Sequence, residues 1–343
     1  MARCLADESI SRRSIGAFEF PLGVYPVETM TPKEGYSAEF EPADTDEGDS
    51  DLDAWPDRYV FDIVVRASRL ESLWMQVIAM MPGRIYPILD YIGHDAYREI
   101  DPYIAYEPVG QERMINMLQR FHDFFYEDGM VGFGAVSEEP FFYAFVDEHK
   151  ILTLRVEPEL QSRVERLLEA FGLSQVDEPA GADASAHEHR SVLLTPEDRP
   201  DLLSPEEIVE RARDEWGLVL NVDPESNLDD DGNDLGITPW RCLVRIETSD
   251  RELSRYAEVI CTAGCLRHAE EMALDASDRL LETHKENPEE SELILIAADR
   301  VHPEQMVVEI QGESGSKTLP DKYLEQSSVL MTRWVSSTGD HAK

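Results

Sequence analysis

At 343 residues the chain exceeds one ordinary hydrophobic core and predicts two domains with tails. Its 31 basic residues against 71 acidic ones leave a formal net charge of −40, a field that repels phosphate backbones and anionic lipid and so argues against direct nucleic-acid or membrane binding. No apolar run approaches the roughly 20 residues that cross a bilayer, no secretory core of about 7–15 apolar residues follows Met1, and Cys4, Cys242, Cys261 and Cys265 are too few for a disulfide framework, so a cytoplasmic protein with reduced thiols is expected.

Residues 1–57 lack helix or strand periodicity and read as an acidic mobile arm. From Glu34 to Asp57 acids recur with no basic residue among them, so the segment offers little apolar surface to offset its ordering entropy. Phe18, Phe20, Tyr25, Tyr36, Phe40 and Trp55 interrupt the acids, a spacing suited to docking on the first domain or on a basic protein partner.

Periodicity, caps and turns agree best over residues 58–173, which predict a first α+β domain. Tyr59 to Val65 is β-branched and aromatic, the composition of a strand. Ser68 and Glu71 form an S-x-x-E capping box ahead of Leu70, Leu73, Trp74, Val77, Ile78 and Met81, and Pro82-Gly83 ends that helix. Ile85 to Leu89 reads as an edge strand because Pro87 lies within it. After an irregular stretch to Gly110, Met114, Met117, Leu118, Phe121 and Phe125 mark one face of a helix closed by Gly129. Three short runs, Met130 to Val136, Phe141 to Val146 and Ile151 to Val156, are joined by polar turns and predict an antiparallel meander. A last helix begins at Pro158 and stops at Gly172.

Breakers and polar residues make 174–202 a linker, and residues 203–310 a second α+β domain whose strand, strand, helix, strand order suggests a ferredoxin-like sheet. Ser204 and Glu207 form a further capping box with Pro205 in the first turn, and Trp240 to Glu247 with Tyr256 to Cys261 predict a hairpin. In the tail, 311–343, Leu319, Tyr323, Leu324, Val329, Leu330 and Trp334 predict an amphipathic helix. The fold class is therefore α+β: two mainly antiparallel sheets packed with helices, plus acidic disordered segments.

Candidate chemistry is scattered. His94, Asp95, Glu99 and Asp101 crowd one aromatic loop, and with His122 they are the residue types of a metal-dependent or acid/base hydrolase. Asp229, Asp231 and Asn233, with Gly232, partly match an EF-hand calcium loop, but Thr238 stands where the closing glutamate belongs. Cys242, Cys261, Cys265 and His268 are the ligand types of a Cys₃His zinc site at looser spacing than paired knuckles. Cys265 before a helix, with His268 one turn on, has the alternative of an activated thiol. His187-Glu188-His189 alternates two imidazoles, a chelating pattern, yet inside a linker a solvated role is expected. Glu148-His149 is one more acid–histidine pair in a turn. Gly312 to Thr318 fails the phosphate-loop pattern, since Ser316 precedes Lys317.

These observations favour a non-enzymatic binding or scaffold protein with a strongly acidic surface, and no resident cofactor is expected. A hydrolase centred on the His94 to Asp101 loop is the alternative. Calcium at Asp229, Asp231 and Asn233 and zinc at the cysteines are the metal alternatives, and the pattern carries no signal of oligomeric state.

Overall fold

The computed structural model describes residues 3–43, 55–196, 198–199, 201–229, 232–248, 255–283, 291–304, 306 and 323–335. Antiparallel sheets and helices make it an α+β protein, and no described helix is long and apolar enough to cross a membrane. The chain divides into two compact units: Met1–Ile92 with Asp101–Asn221, and Gly93–Ile100 with Val222–Lys343.

In the first unit β1 (Ser14–Ile15), β2 (Phe18–Glu19), β3 (Val24–Pro26) and β4 (Gly35–Glu41) precede β5 (Arg58–Val64) and α1 (Ala67–Ile78). Next come β6 (Arg84–Ile92), β7 (Ile100–Ala105), β8 (Val109–Gly110), α2 (Gln111–Arg120) and α3 (His122–Glu127). The meander β9 (Val131–Ser137), β10 (Phe142–Val146) and β11 (Leu152–Val156) leads to α4 (Gln161–Ala170), β12 (His187–His189), α5 (Pro205–Trp216) and β13 (Leu218–Leu220). The main sheet runs β13-β7-β6-β9-β10-β11-β5-β4, with β8 on β6, and β3 pairs separately with β12. Phe133 sits at the centre of the core, its ring 5.0 Å from Trp74, 5.4 Å from Phe125 and 5.3 Å from Tyr126. Each such aromatic pair adds about 0.5–1.5 kcal/mol beyond its buried area.

The meander matches its expected strands: β10 and β11 alternate buried and half-buried residues, β9 is buried along almost its whole length, and the two polar turns are short enough to impose antiparallel pairing. Several other expectations need correction. The mobile arm is folded over residues 3–43: Phe18, Phe20 and Val24 are buried with Val64 and Ala182, and β4 pairs along β5. Its aromatic residues supply the apolar burial that its acids withhold; residues 44–54 lie outside the described set.

The Ser68–Glu71 box does not form, because α1 starts two residues earlier, with Arg66 rather than Ser68 as its N-cap. Glu34 replaces it, accepting the Arg66 backbone N–H and its Nε at 3.1 Å each. Pro87 lies in an interior strand opposite Ala135, where its ring fills an inward position between Ile85 and Leu89. The helix expected through Phe125 breaks at Phe121, whose φ of −117° and ψ of 43° separate α2 from α3.

The segment 174–203 is a strap rather than a linker. Bridges Tyr36 to Gln175, Lys33 to Ala180, Ala6 to Leu193 and Arg3 to Leu202 lay it along the N-terminal residues. Ser204 and Glu207 do form the capping box, yet α5 and β13 belong to the first unit, so the boundary expected near residue 203 moves to Asn221. Trp216 and Leu218 are buried in the first core, and β13 pairs with β7.

The second unit holds β14 (Thr238–Thr248), β15 (Arg255–Ala263), α6 (Leu266–Thr283), β16 (Ser291–Arg300) and β17 (Ser328–Val335), in sheet order β16-β14-β15-β17. Small buried residues of α6, Ala269, Ala273 and Ala276, let the helix pack closely on β14 and β15. A ferredoxin-like arrangement needs two crossover helices; α6 is the one helix of this unit longer than a turn among the described residues, and residues 307–322, between β16 and β17, lie outside them, so that expectation is not tested. The helix expected around Leu330 and Trp334 is strand β17, paired with β15; Leu319 and residues 307–310 lie outside the described set.

Candidate metal centre

Two chain segments of the first unit bring three imidazoles together. The first is the β10–β11 turn. Asp147 N–H donates to Ile151 O at 3.0 Å, Lys150 N–H donates back to Asp147 O at 3.0 Å, and Asp147 Oδ1 accepts from Ile151 N at 2.7 Å. Lys150 takes the left-handed φ of 64° that this reversal requires, and its buried ammonium donates to Val131 O. The turn thereby presents His149.

The second segment is the β3–β12 ribbon, with His187 opposite Pro26, Glu188 opposite Tyr25 and His189 opposite Val24. Alternation along a strand puts His187 and His189 on one face and Glu188 on the other. Glu188 accordingly pairs with Arg190, whose guanidinium lies 4.2 Å from the Tyr25 ring centroid. A close backbone crossing fixes the ribbon's height. Arg190 N–H donates to Gly23 O at 2.8 Å, and Gly129 N–H donates to Arg190 O at 3.1 Å. A side chain on Gly129 would come within 2.1 Å of Gly23 O, and one on Gly23 within 2.1 Å of Gly129 N, so only glycine fits at either place.

His149 Nε2 lies 2.9 Å from His187 Nε2, which lies 3.1 Å from His189 Nε2. Every other ring nitrogen faces an acceptor. His149 Nδ1 is 3.2 Å from Asp147 Oδ2 and 3.4 Å from Glu148 Oε1, His187 Nδ1 is 2.7 Å from Ser185 O, and His189 Nδ1 is 2.8 Å from Gly129 O. A carbonyl or carboxylate oxygen can only accept, so each Nδ1 carries the proton and each neutral ring turns its Nε2 lone pair inward. Three lone pairs at these separations repel one another unless protons or a cation lie between them. Partners of this kind on Nδ1 are also what orients a metal-binding histidine.

The donor set fits a zinc-type ion. Zinc–nitrogen bonds of about 2.0–2.1 Å at tetrahedral angles place ligand nitrogens about 3.3 Å apart, so the His187 separations of 2.9 and 3.1 Å need to widen by only a few tenths of an ångström. Burial works against a charged His149, but its hydrogen bond to Asp147 and the charges of Asp147, Glu148 and Asp183 outweigh that and raise its pKa. Burial, then the neighbouring His149, lowers that of His189. Beneath the site, burial brings Lys150 down to about 8 against the pull of Asp128.

The residues singled out in the sequence lie elsewhere. His94, Asp95 and Glu99 belong to the second unit, Asp101 and His122 to the first. Asp95 is an anchor: its buried carboxylate accepts from Tyr97 N and Arg300 N at 2.9 Å each and lies 3.6 Å from the Arg98 guanidinium. His94 and Glu99 are exposed. His122 lies between Asp123, at 3.0 Å, and Glu71, at 3.4 Å, with its ring centroid 5.1 Å from that of Tyr126.

Among the described residues Asp229 gathers no cluster of calcium ligands. It accepts the Asn233 backbone N–H at 2.8 Å and side-chain amide at 3.1 and 3.2 Å, which closes the loop on itself, and Asp231 lies outside the described residues. Nor do the four zinc candidates converge. Cys242 is buried below α6, its thiol pushed well up by the neighbouring Cys261 sulfur and by burial, the opposite of a ligating thiolate. Cys265 is half-buried at the head of α6, and His268 is 3.5 Å from Ser327 Oγ. Among the described residues, the groups of three that do converge are His149, His187 and His189, and Asp147, Glu148 and His149.

In the comparisons with known proteins, no family model matches the chain, and no curated protein or solved structure matches it either.

Proposed function

We propose that this protein is a metalloprotein whose first unit binds one divalent transition metal, zinc being the best fit, through Nε2 of His149, His187 and His189. A single observation carries the reading: His187 Nε2 lies 2.9 and 3.1 Å from the Nε2 atoms of His149 and His189, all three within 4.8 Å of one another, and each ring has an acceptor on its opposite nitrogen. All-imidazole donor sets suit zinc and its neighbours rather than calcium or magnesium, which take oxygen ligands. The ligands come from a turn and a strand more than thirty residues apart in sequence, so binding would tie the strap to the meander.

Calorimetric titration of the chelator-treated, full-length chain with zinc tests this. One equivalent is expected to bind, and His149→Ala, His187→Ala and His189→Ala should each weaken binding by about a hundredfold or more, since losing a ligand exceeds the 10–100-fold typical of its supporting partner. His122→Ala is the control and should bind as the parent does. Unchanged affinity in all three variants would refute the assignment.

A further inference from the structure

We infer that the centre reserves one coordination position for a ligand from solution and discriminates by charge there, its carboxylates weakening an anionic ligand while leaving a neutral nitrogen or oxygen donor unaffected. This rests on the metal reading above. Zinc-type ions take at least four donors, and sites that keep three protein ligands leave the fourth position to water or substrate. Among the described residues no fourth histidine, cysteine, aspartate or glutamate joins the three Nε2 atoms. Asp147 and Glu148 are close, but on the far side of His149, against Nδ1. All three imidazoles are half-buried rather than enclosed, so the remaining position faces solvent.

The surroundings set what can occupy it. Asp147, Glu148 and Asp183 all act on His149, and Glu148 acts on His189 as well. Lys150, the cation next in sequence, turns its ammonium away to Val131 O and is offset by Asp128. Arg190 lies on the opposite face of the ribbon with Glu188. The metal's own charge draws an anion in, but the carboxylates around the site offset that charge and no side-chain cation is directed at the open position, whereas the binding of an imidazole or amine nitrogen depends little on either. A single charge about 8 Å away in a partly solvated setting changes anion affinity about five- to tenfold.

Cobalt(II) tests the inference on the full-length, chelator-treated chain, because its visible absorption reports coordination number and ligand exchange. Imidazole is the neutral probe and azide the anionic one, at matched ionic strength. Imidazole and azide should each shift the spectrum, and Asp183→Asn should tighten azide about five- to tenfold while leaving imidazole unchanged. If cobalt binds and neither probe alters the spectrum, the position is closed and the inference falls while the metal reading stands. If Asp183→Asn leaves azide binding unchanged, or shifts azide and imidazole alike, discrimination by charge is wrong. If no cobalt binds, the metal reading fails and takes this inference with it.

Discussion

Asp128, wholly buried between α3 and β9, accepts the backbone N–H of Val192 at 2.8 Å and the Ser191 hydroxyl at 2.9 Å on one oxygen, and the N–H of Met130 at 2.9 Å on the other. One carboxylate thus holds the strap just beyond the two ribbon histidines. Asp128→Ala removes these bonds and leaves Lys150 without its opposing charge, so a loss of about 3 kcal/mol is expected. Urea denaturation of the full-length chain measures it. The same variant should weaken zinc binding, because the strap's hold beside His189 is gone.

Zinc itself should act as a stabiliser. Binding to the folded state alone adds about 2.7 kcal/mol at a hundredfold excess over Kd, which in a unit of this size raises Tm by about 5–10 °C. Thermal scans with zinc and with chelator should show that gap in the parent and lose it in His187→Ala. An equal gap in that variant would place the ion elsewhere.

The crossing of Gly23 and Gly129 gives a sharper steric test. Gly129→Ala puts a carbon 2.1 Å from Gly23 O, so the ribbon must move, at a cost of about 3 kcal/mol or more. His189 would then lose its acceptor, and zinc affinity should fall with stability. Gly83→Ala, where an added carbon meets nothing within 4 Å, should stay within about 0.5 kcal/mol of the parent.

Asp90 supplies the pH dependence. Burial first, and the charge of Glu148 second, raise its carboxyl to about 6. A folded-state pKa above the unfolded value means that the folded chain holds the proton more tightly, so this contribution is complete below about 3.8 and is lost as pH rises through about 6. Asp90→Asn should therefore match the parent near pH 4 and exceed it at pH 7 by about 1–2 kcal/mol, allowing for partial exposure of the site. Denaturation midpoints of the two proteins at both pH values decide it.

What the sequence revealed depended on range. The Ser204–Glu207 box and the β9–β11 meander are local patterns, decided within a few residues, and both form. Ser68 and Glu71 carry the same box motif, but Glu34, far off in sequence, takes the Arg66 N–H instead. Leu330 and Trp334 are four residues apart, a spacing shared by one helix face and one strand face, and pairing with β15 decided between them. Half of the metal centre was visible, since alternate histidines at 187 and 189 declare a common face if the segment is extended. That it is extended depends on three residues of β3, Val24–Pro26, too short to register as a strand alone. His149 gave no signal beyond an acid beside it, because only the folded turn aims its ring at the other two.

The position of β4 bears on how the protein can be cut. A fragment begun at Tyr59 would strip β5 of its neighbour and expose a row of unpaired amides and carbonyls, and would leave β12 with no ladder to lie against. Bare strand edges invite self-association. Recombinant pieces of the first unit should therefore keep residues 3–43, since these are part of its wall.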